Sequence, residues 1–307
     1  MRESPMRTAE LKGKIRVRTI NEELRERFGC RVHKVPVHAG FTCPNRDGIL
    51  GTGGCLFCDP HGSAAAWSDP DEGVTAQLRR GMEYARKRFQ ARKFIAYFQP
   101  FSNTYALVSR LKVLWEEALA VDDIVGISVG TRPDCLPEDV LDLIRTYREG
   151  TPYFNLEIGL QTVHDKTLRE IGRGHDFACF KDAVQRAHRR GIPLCVHIIL
   201  GLPGETVPEM METVRTLLDL EIEGIKLHHL HILKGSLLER EYRAGRLSLM
   251  TQEEYVSLVC RILELIAGRM VIHRFMGEAP IRRLVAPDWT GRKRDVLAAI
   301  ARDLGGT

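Results

Sequence analysis

Seven short runs of apolar, β-branched and aromatic residues punctuate the chain, at positions 34–38, 94–99, 124–130, 153–159, 194–200, 224–233 and, more weakly, 270–275. Each has the length of a strand. Between them lie longer stretches whose apolar residues recur at helical spacing, at 74–91, 105–120, 137–147, 177–190, 207–220 and 251–267. Two of these starts carry helix signals: Pro137 with Glu138 and Asp139 in the first turn, and Thr251 followed by Glu253 and Glu254. Strands that alternate with helices predict parallel pairing through helical crossovers. Six consecutive units therefore predict an α/β fold, a partial (β/α)6 TIM-like barrel open on one side. The expected division is a basic N-terminal extension over 1–31, the barrel over 32–250, and a helical and strand extension over 251–307 that packs on it. In such a barrel, function gathers on the loops at the C-terminal ends of the strands.

Composition narrows the class without naming a function. At 307 residues, 44% hydrophobic and 28% charged, the chain has the balance of a globular protein with a sizeable core. No apolar run approaches the ~18 residues that cross a bilayer, and the N-terminus has no hydrophobic signal region, so a cytoplasmic protein with no membrane contact is expected. Eight cysteines in that setting are expected to be reduced thiols. The net charge is +5, with basic clusters at Lys12, Lys14, Arg16 and Arg18, along Arg79 to Lys93, and at Arg292, Lys293 and Arg294. Such runs are commonly solvated helix faces, and they also suit phosphate backbones.

The first strand run leads into HAGFTCPNRDGILGTGGCLFCDPHG, which holds Cys43, Cys55 and Cys58 around four glycines. A C-x-x-C pair with a third thiol upstream is a metal-holding pattern, and three ligands leave one position open. Thiolates suit an iron-sulfur cluster or zinc, and His61 offers a fourth ligand for a Cys3His zinc site. Both readings stand on the local pattern. At the later strand ends, FNLEIGLQT and VHIILGLPGET set polar groups into apolar runs. Gln161 brings an amide suited to ribose hydroxyls, and Arg173 a planar fork suited to a carboxylate. Each type also occurs as an ordinary strand-end hydrogen bonder or surface ion pair. His228, His229 and His231 cluster after the sixth run, but strand alternation sets His228 on the opposite face from the other two, against a three-histidine metal site. The remaining cysteines lack ligand spacing and read as buried apolar residues.

Taken in order, the cysteine loop, ISVGTRPDC, LEIGLQT, GRGHD, GLPGET and HILKGSLLE resemble the radical S-adenosylmethionine enzymes, in the branch of the elongator catalytic subunit and the oxygen-independent coproporphyrinogen oxidase. The similarity runs from about Val32 to Leu247. The long gap between Cys43 and Cys55 departs from the superfamily's usual CxxxCxxC and is similar to the elongator-like branch. HAGFTCPNRDG with YFQPFSNTYA resembles, more narrowly, the YhcC and YtqA (MnmL-like) subfamily.

That resemblance implies a 4Fe-4S cluster on Cys43, Cys55 and Cys58, with S-adenosylmethionine on the open iron. It also implies one-electron reduction by flavodoxin or ferredoxin, and hydrogen abstraction by a 5'-deoxyadenosyl radical. Matched by position, it gives Gln161 to the cofactor ribose and Arg173 to the methionyl carboxylate. His197 falls where a relative has a ribose-facing aspartate, Gln99 and Asn103 fall near the methionyl amino group, and Phe57 falls beside adenine. Gly130 replaces a ribose-facing glutamate of some relatives, and His61 becomes dispensable. The subfamily further implies a tRNA substrate, with 5-carboxymethylaminomethyl uridine at the wobble position converted to the 5-aminomethyl form and basic helices near the barrel mouth holding phosphates. No acetyltransferase domain is expected. The alternatives are a radical enzyme of a small metabolite and a non-catalytic, zinc-stabilised RNA-binding module.

Overall fold

A computed structural model describes residues 17–58 and 69–305. His61 and the basic residues Lys12, Lys14 and Arg16 lie outside the described residues. Seven parallel strands form one curled sheet in the order β1 (Val32–Val37), β2 (Lys93–Phe98), β3 (Ile124–Thr131), β4 (Phe154–Gln161), β5 (Leu194–Leu200), β6 (Gly224–His229) and β8 (Val271–Arg274). The weak seventh run is thus a full member of the sheet. A two-stranded antiparallel pair, β7 (Ile232–Leu233) with β9 (Leu284–Ala286), lies beside the C-terminal end of β6.

Ten helices are described: α1 (Ile20–Phe28), α2 (Val74–Phe89), α3 (Val108–Leu119), α4 (Glu138–Gly150), α5 (Asp165–Glu170), α6 (Phe177–His188), α7 (Val207–Asp219), α8 (Leu237–Arg243), α9 (Gln252–Ile266) and α10 (Lys293–Gly305). Their apolar stripes cover the outer face of the sheet, where Trp115 is fully buried and packs edge-on to Tyr147 and Phe154. Helix starts follow local chemistry. Thr206 and Thr251 each close a capping box, with Glu209 and Glu254 respectively, which satisfies backbone donors that the first turn cannot.

Two expectations need correction. The run 224–233 is not one strand: β6 stops at His229, and Ile232–Leu233 turn away to pair with β9. The histidines separate accordingly. His229 is buried on the outer side against Tyr255 and Trp289 and bonds Thr290 Oγ1 at 2.7 Å, while His228 faces the lumen, its ring centroid 5.4 Å from that of His197. The basic run of α2 is also not at the barrel mouth. A helix that follows β1 and precedes β2 must descend toward the N-terminal ends of the strands, so Arg86, Lys87 and Arg88 lie at the far end. There Arg86 pairs with Asp123 at 2.6 Å and Lys87 with Glu83 at 2.5 Å.

Candidate active site

The chain leaves β1 at the mouth and turns through the cysteine loop. Cys43 and Cys55 are buried, Cys58 is half-buried, and none of the three is in a disulfide. Backbone N–H groups of Arg46 and Asp47 bond Cys43 O at 2.8 and 3.2 Å, and Gly54 N donates to Asn45 O at 2.8 Å, so the loop wraps on itself. Asn45 ties it to the β4–α6 segment. Its Nδ2 reaches Gly172 O at 2.7 Å, Arg173 O at 3.1 Å and Cys55 Sγ at 3.3 Å. Gly174 permits that approach: it has φ +75°, and a Cβ there would stand 2.4 Å from Asn45 Oδ1. A second tie joins the HILKGSLLE segment, where Leu238 N donates to Leu56 O at 3.2 Å.

The sulfurs face donors. Arg46 Nη2 lies 3.2 Å from Cys58 Sγ, and Arg173 Nη1 lies 3.5 Å from Cys55 Sγ. Cationic N–H groups around thiols are the outer surroundings that orient and tune metal-bound thiolates. Among the described residues no three His, Cys, Asp or Glu converge as they would around a single ion. In a cuboidal cluster each thiolate would take a different iron, and Cys43, Cys55 and Cys58 offer three.

Beside the loop, Arg173 and Gln161 meet over one glycine. A Cβ on Gly159 would lie 2.8 Å from Gln161 Nε2 and 2.9 Å from Arg173 Nη2, so only glycine leaves room for both side chains. Gln161 is buried and holds φ +85° at a break in the β4–β5 register, a strained backbone of the kind that gathers at functional sites. Arg173 donates through Nη2 to Gly159 O, while its buried Nε, like the Arg132 and Asn103 atoms below, has no partner among the described residues. Arg132, buried nearby, is held by Asp134 at 2.8 and 2.7 Å and leaves Nη1 unpartnered. Asn103 donates to Pro100 O and Gly130 O, both at 2.9 Å, and keeps Oδ1 buried without a donor. Buried polar atoms are normally paired, so these two donors and one acceptor mark places for a ligand. Gln99 ends β2 close by, its backbone N bonded to Val37 O at 3.0 Å. Phe57 is half-buried and packs on the apolar cluster that includes Ile171, Ile199, Leu202 and Leu230.

One residue that sequence reading did not single out dominates the lumen below. Glu157 is fully buried and accepts from Lys34 Nζ at 2.7 Å, Tyr97 OH at 2.6 Å, Ser128 Oγ at 2.9 Å, Asn155 Nδ2 at 2.9 Å and Lys226 Nζ. His197 Nε2 lies 3.0 Å from the same carboxylate, so that nitrogen is engaged with Glu157. Burial alone would raise the Glu157 carboxyl, but Lys226, Lys34 and the His197 contact hold it well below the usual carboxylate range. Burial pushes Lys226 down to about 8 and His197 down to about 4, against the pull of Glu157. The signal was present as polar residues at alternating positions in FNLEIG and GIKLHH.

Burial likewise pushes His229 down to about 3. Both imidazoles are neutral in the fold and take up protons on unfolding once the pH is below 6.5, so the unfolded chain binds more protons between 6.5 and the folded values. Stability is therefore expected to be flat just above pH 6.5 and to fall toward pH 4, by about 1.4 kcal/mol per pH unit for each group. Thermal melting across that range checks it, and a constant Tm from pH 7 to 4.5 would count against buried neutral histidines.

An open parallel barrel with a three-thiol loop at its mouth, and unpaired cationic donors beside it, defines a class of cluster-bearing enzymes. Residues 43–217 match the Radical SAM superfamily and residues 222–305 match the Radical_SAM C-terminal domain, so the chain belongs to the radical SAM superfamily. Its cofactor pair is accordingly a 4Fe-4S cluster and S-adenosylmethionine. The chain is 44% identical to YtqA of Bacillus subtilis over 94% of its own length and 89% of that protein. It is 40% identical to YhcC of Escherichia coli over 87% and 85%, and 27% identical to Elongator complex protein 3 of Schizosaccharomyces pombe over 59% and 33%. Its fold is similar to that of archaeal Elp3 from Methanocaldococcus infernus, with a TM-score of 0.65 at 15% identity, covering 87% of this chain and 62% of that one. No helix among the described residues is long and apolar enough to cross a membrane.

Proposed function

We propose that this enzyme modifies the wobble uridine of tRNA, converting the 5-carboxymethylaminomethyl group to 5-aminomethyl. Cys43, Cys55 and Cys58 would hold the cluster. Arg173 Nε and Arg132 Nη1 would meet the methionyl carboxylate of S-adenosylmethionine, Asn103 Oδ1 its amino group, and Gln161 its ribose. The observation that carries this assignment is the set of buried donors and acceptor, unpaired among the described residues, beside three thiols outside any disulfide and complementary to an amino acid zwitterion. Given an electron from flavodoxin or ferredoxin, the bound pair would supply a 5'-deoxyadenosyl radical able to take a hydrogen atom from the glycine-derived methylene. Asn45 and Gly174 fix the loop against the β4–α6 segment, and Gly159 leaves room for Gln161 and Arg173 over the lumen.

The tRNA reading rests on the YhcC and YtqA similarity and on charge at the mouth. Exposed Lys234, Arg240 and Arg282 lie on the segment beside the cysteine loop and suit phosphate contacts. Deleting the gene in its host is expected to leave 5-carboxymethylaminomethyl uridine in place of the 5-aminomethyl nucleoside in tRNA digests. Unchanged nucleoside masses would overturn the substrate assignment.

A further inference from the structure

The lumen carries more positive charge than its one central carboxylate can balance. Lys34 and Lys226 share Glu157, and Arg274 is a third cation at the end of β8. The pairing of β6 with β8 explains its position. Ile225 opposes Ile272 and Lys226 opposes Arg274, which leaves His273 as an extra residue in β8. A bulge of this kind turns neighbouring side chains to one side of a sheet. His273 Nε2 lies 2.8 Å from where a Cβ of Gly224 would stand, and Gly224 shares its face with Lys226 and His228. The Arg274 charge is felt by Tyr97, Cys195, His197, Lys226 and His228, every one a lumen residue.

Arg274 itself is half-buried and makes no hydrogen bond or ion pair among the described residues. Glu278, the other carboxylate within its influence, pairs with Lys293. Two further polar atoms are buried without partners on the same wall, His228 Nε2 and His273 Nδ1. Uncompensated cations and orphaned ring nitrogens are costly in a buried setting unless an anion is meant to enter. A guanidinium fork matches a carboxylate with two parallel hydrogen bonds.

We propose that the lumen beneath the Arg173–Gly159 layer is a binding site for a carboxylate carried by the substrate, with Arg274 as its main ligand and Lys226 and His228 as its walls. It deepens the function proposed above and rests on it, because the carboxymethyl group is the part of that substrate bearing a carboxylate. The site also gives a reason for discrimination: a uridine substituent lacking the carboxylate would leave the cations unbalanced.

The test is calorimetric titration of the cluster-reconstituted protein and of R274Q with five probes: the nucleoside 5-carboxymethylaminomethyl uridine, N-methylglycine, the methyl ester of each, and inorganic phosphate. Both carboxylates are expected to bind, and R274Q to weaken them by roughly 10- to 100-fold, the strength of a charge-assisted pair, with ester binding unchanged. R274K, which keeps the charge without the fork, should fall between, and it serves if R274Q does not fold. Equal carboxylate affinity in wild type and variant, ester binding as tight as acid, no binding of either carboxylate, or preference for phosphate would each overturn the lumen site. The two readings separate cleanly. N-methylglycine bound through Arg274 with the nucleoside rejected would keep the lumen site and sink the uridine assignment, whereas nucleoside bound without regard to Arg274 would do the reverse.

Discussion

Serine at Cys43, Cys55 or Cys58, one at a time, is expected to abolish both iron-sulfur content and S-adenosylmethionine cleavage, with activity falling below detection. Each thiolate would hold a separate iron, so no neighbouring ligand could substitute for a lost one. The loop should nonetheless fold, because its own hydrogen bonds run through backbone groups and through Asn45, whose carboxamide reaches Gly172 O and Arg173 O as well as Cys55. Replacement of His61 is expected to leave cluster content unchanged. Iron and sulfide analysis with the absorbance of the reconstituted variants provides the measurement. A serine variant that keeps full cluster and cleavage, or a His61 variant that loses both, would contradict the ligand assignment.

Glu157→Gln is expected to be among the most destabilising single changes in the barrel. The carboxylate balances the buried Lys226 and the half-buried Lys34 and accepts from Tyr97, Ser128 and Asn155 as well, so the amide leaves Lys34 and Lys226 facing each other's charge with an acceptor of half the capacity. Removing one partner of a buried ion pair typically costs about 3–5 kcal/mol. The pH dependence has a definite sign. The folded carboxyl lies well below its ordinary value of 4.5, so its contribution is complete above that value and is lost as pH falls through the folded one. Denaturant unfolding at neutral pH measures the cost; a loss under about 1 kcal/mol would mean that the network is far less coupled than its geometry indicates. Pairing the change with Lys226→Met should recover part of the loss, since a neutral pair removes the stranded cation.

Much of the architecture was legible because its signals are local. Strand runs bounded by glycine and proline, capping residues such as Thr251, and the order of β and α segments are set by neighbours in sequence. The cysteine loop was legible for the same reason, since glycine-rich spacing and thiols lie within one short stretch. The Glu157 network was not. Its members come from six strands, with Lys34 and Glu157 separated by 123 positions and Glu157 and Lys226 by 69, so only closure of the sheet brings them together. A charged residue inside an apolar run announces that something must compensate it, but not which partner. The direction of α2 and the turn after His229 were missed on related grounds: crossover geometry and pairing with β9 decide them, and neither is written in local pattern. Asn103 was expected at a ligand position, but its unusual pairing could be seen only once Gly130 O stood beside it.

Anaerobic purification, followed by reaction with S-adenosylmethionine and a one-electron reductant, puts the cluster and its neighbours to trial in one vessel. Protein carrying iron and sulfide, and forming 5'-deoxyadenosine and methionine only when reductant is present, is the expected result. Protein carrying zinc in place of iron and sulfide, with no 5'-deoxyadenosine formed, would contradict it.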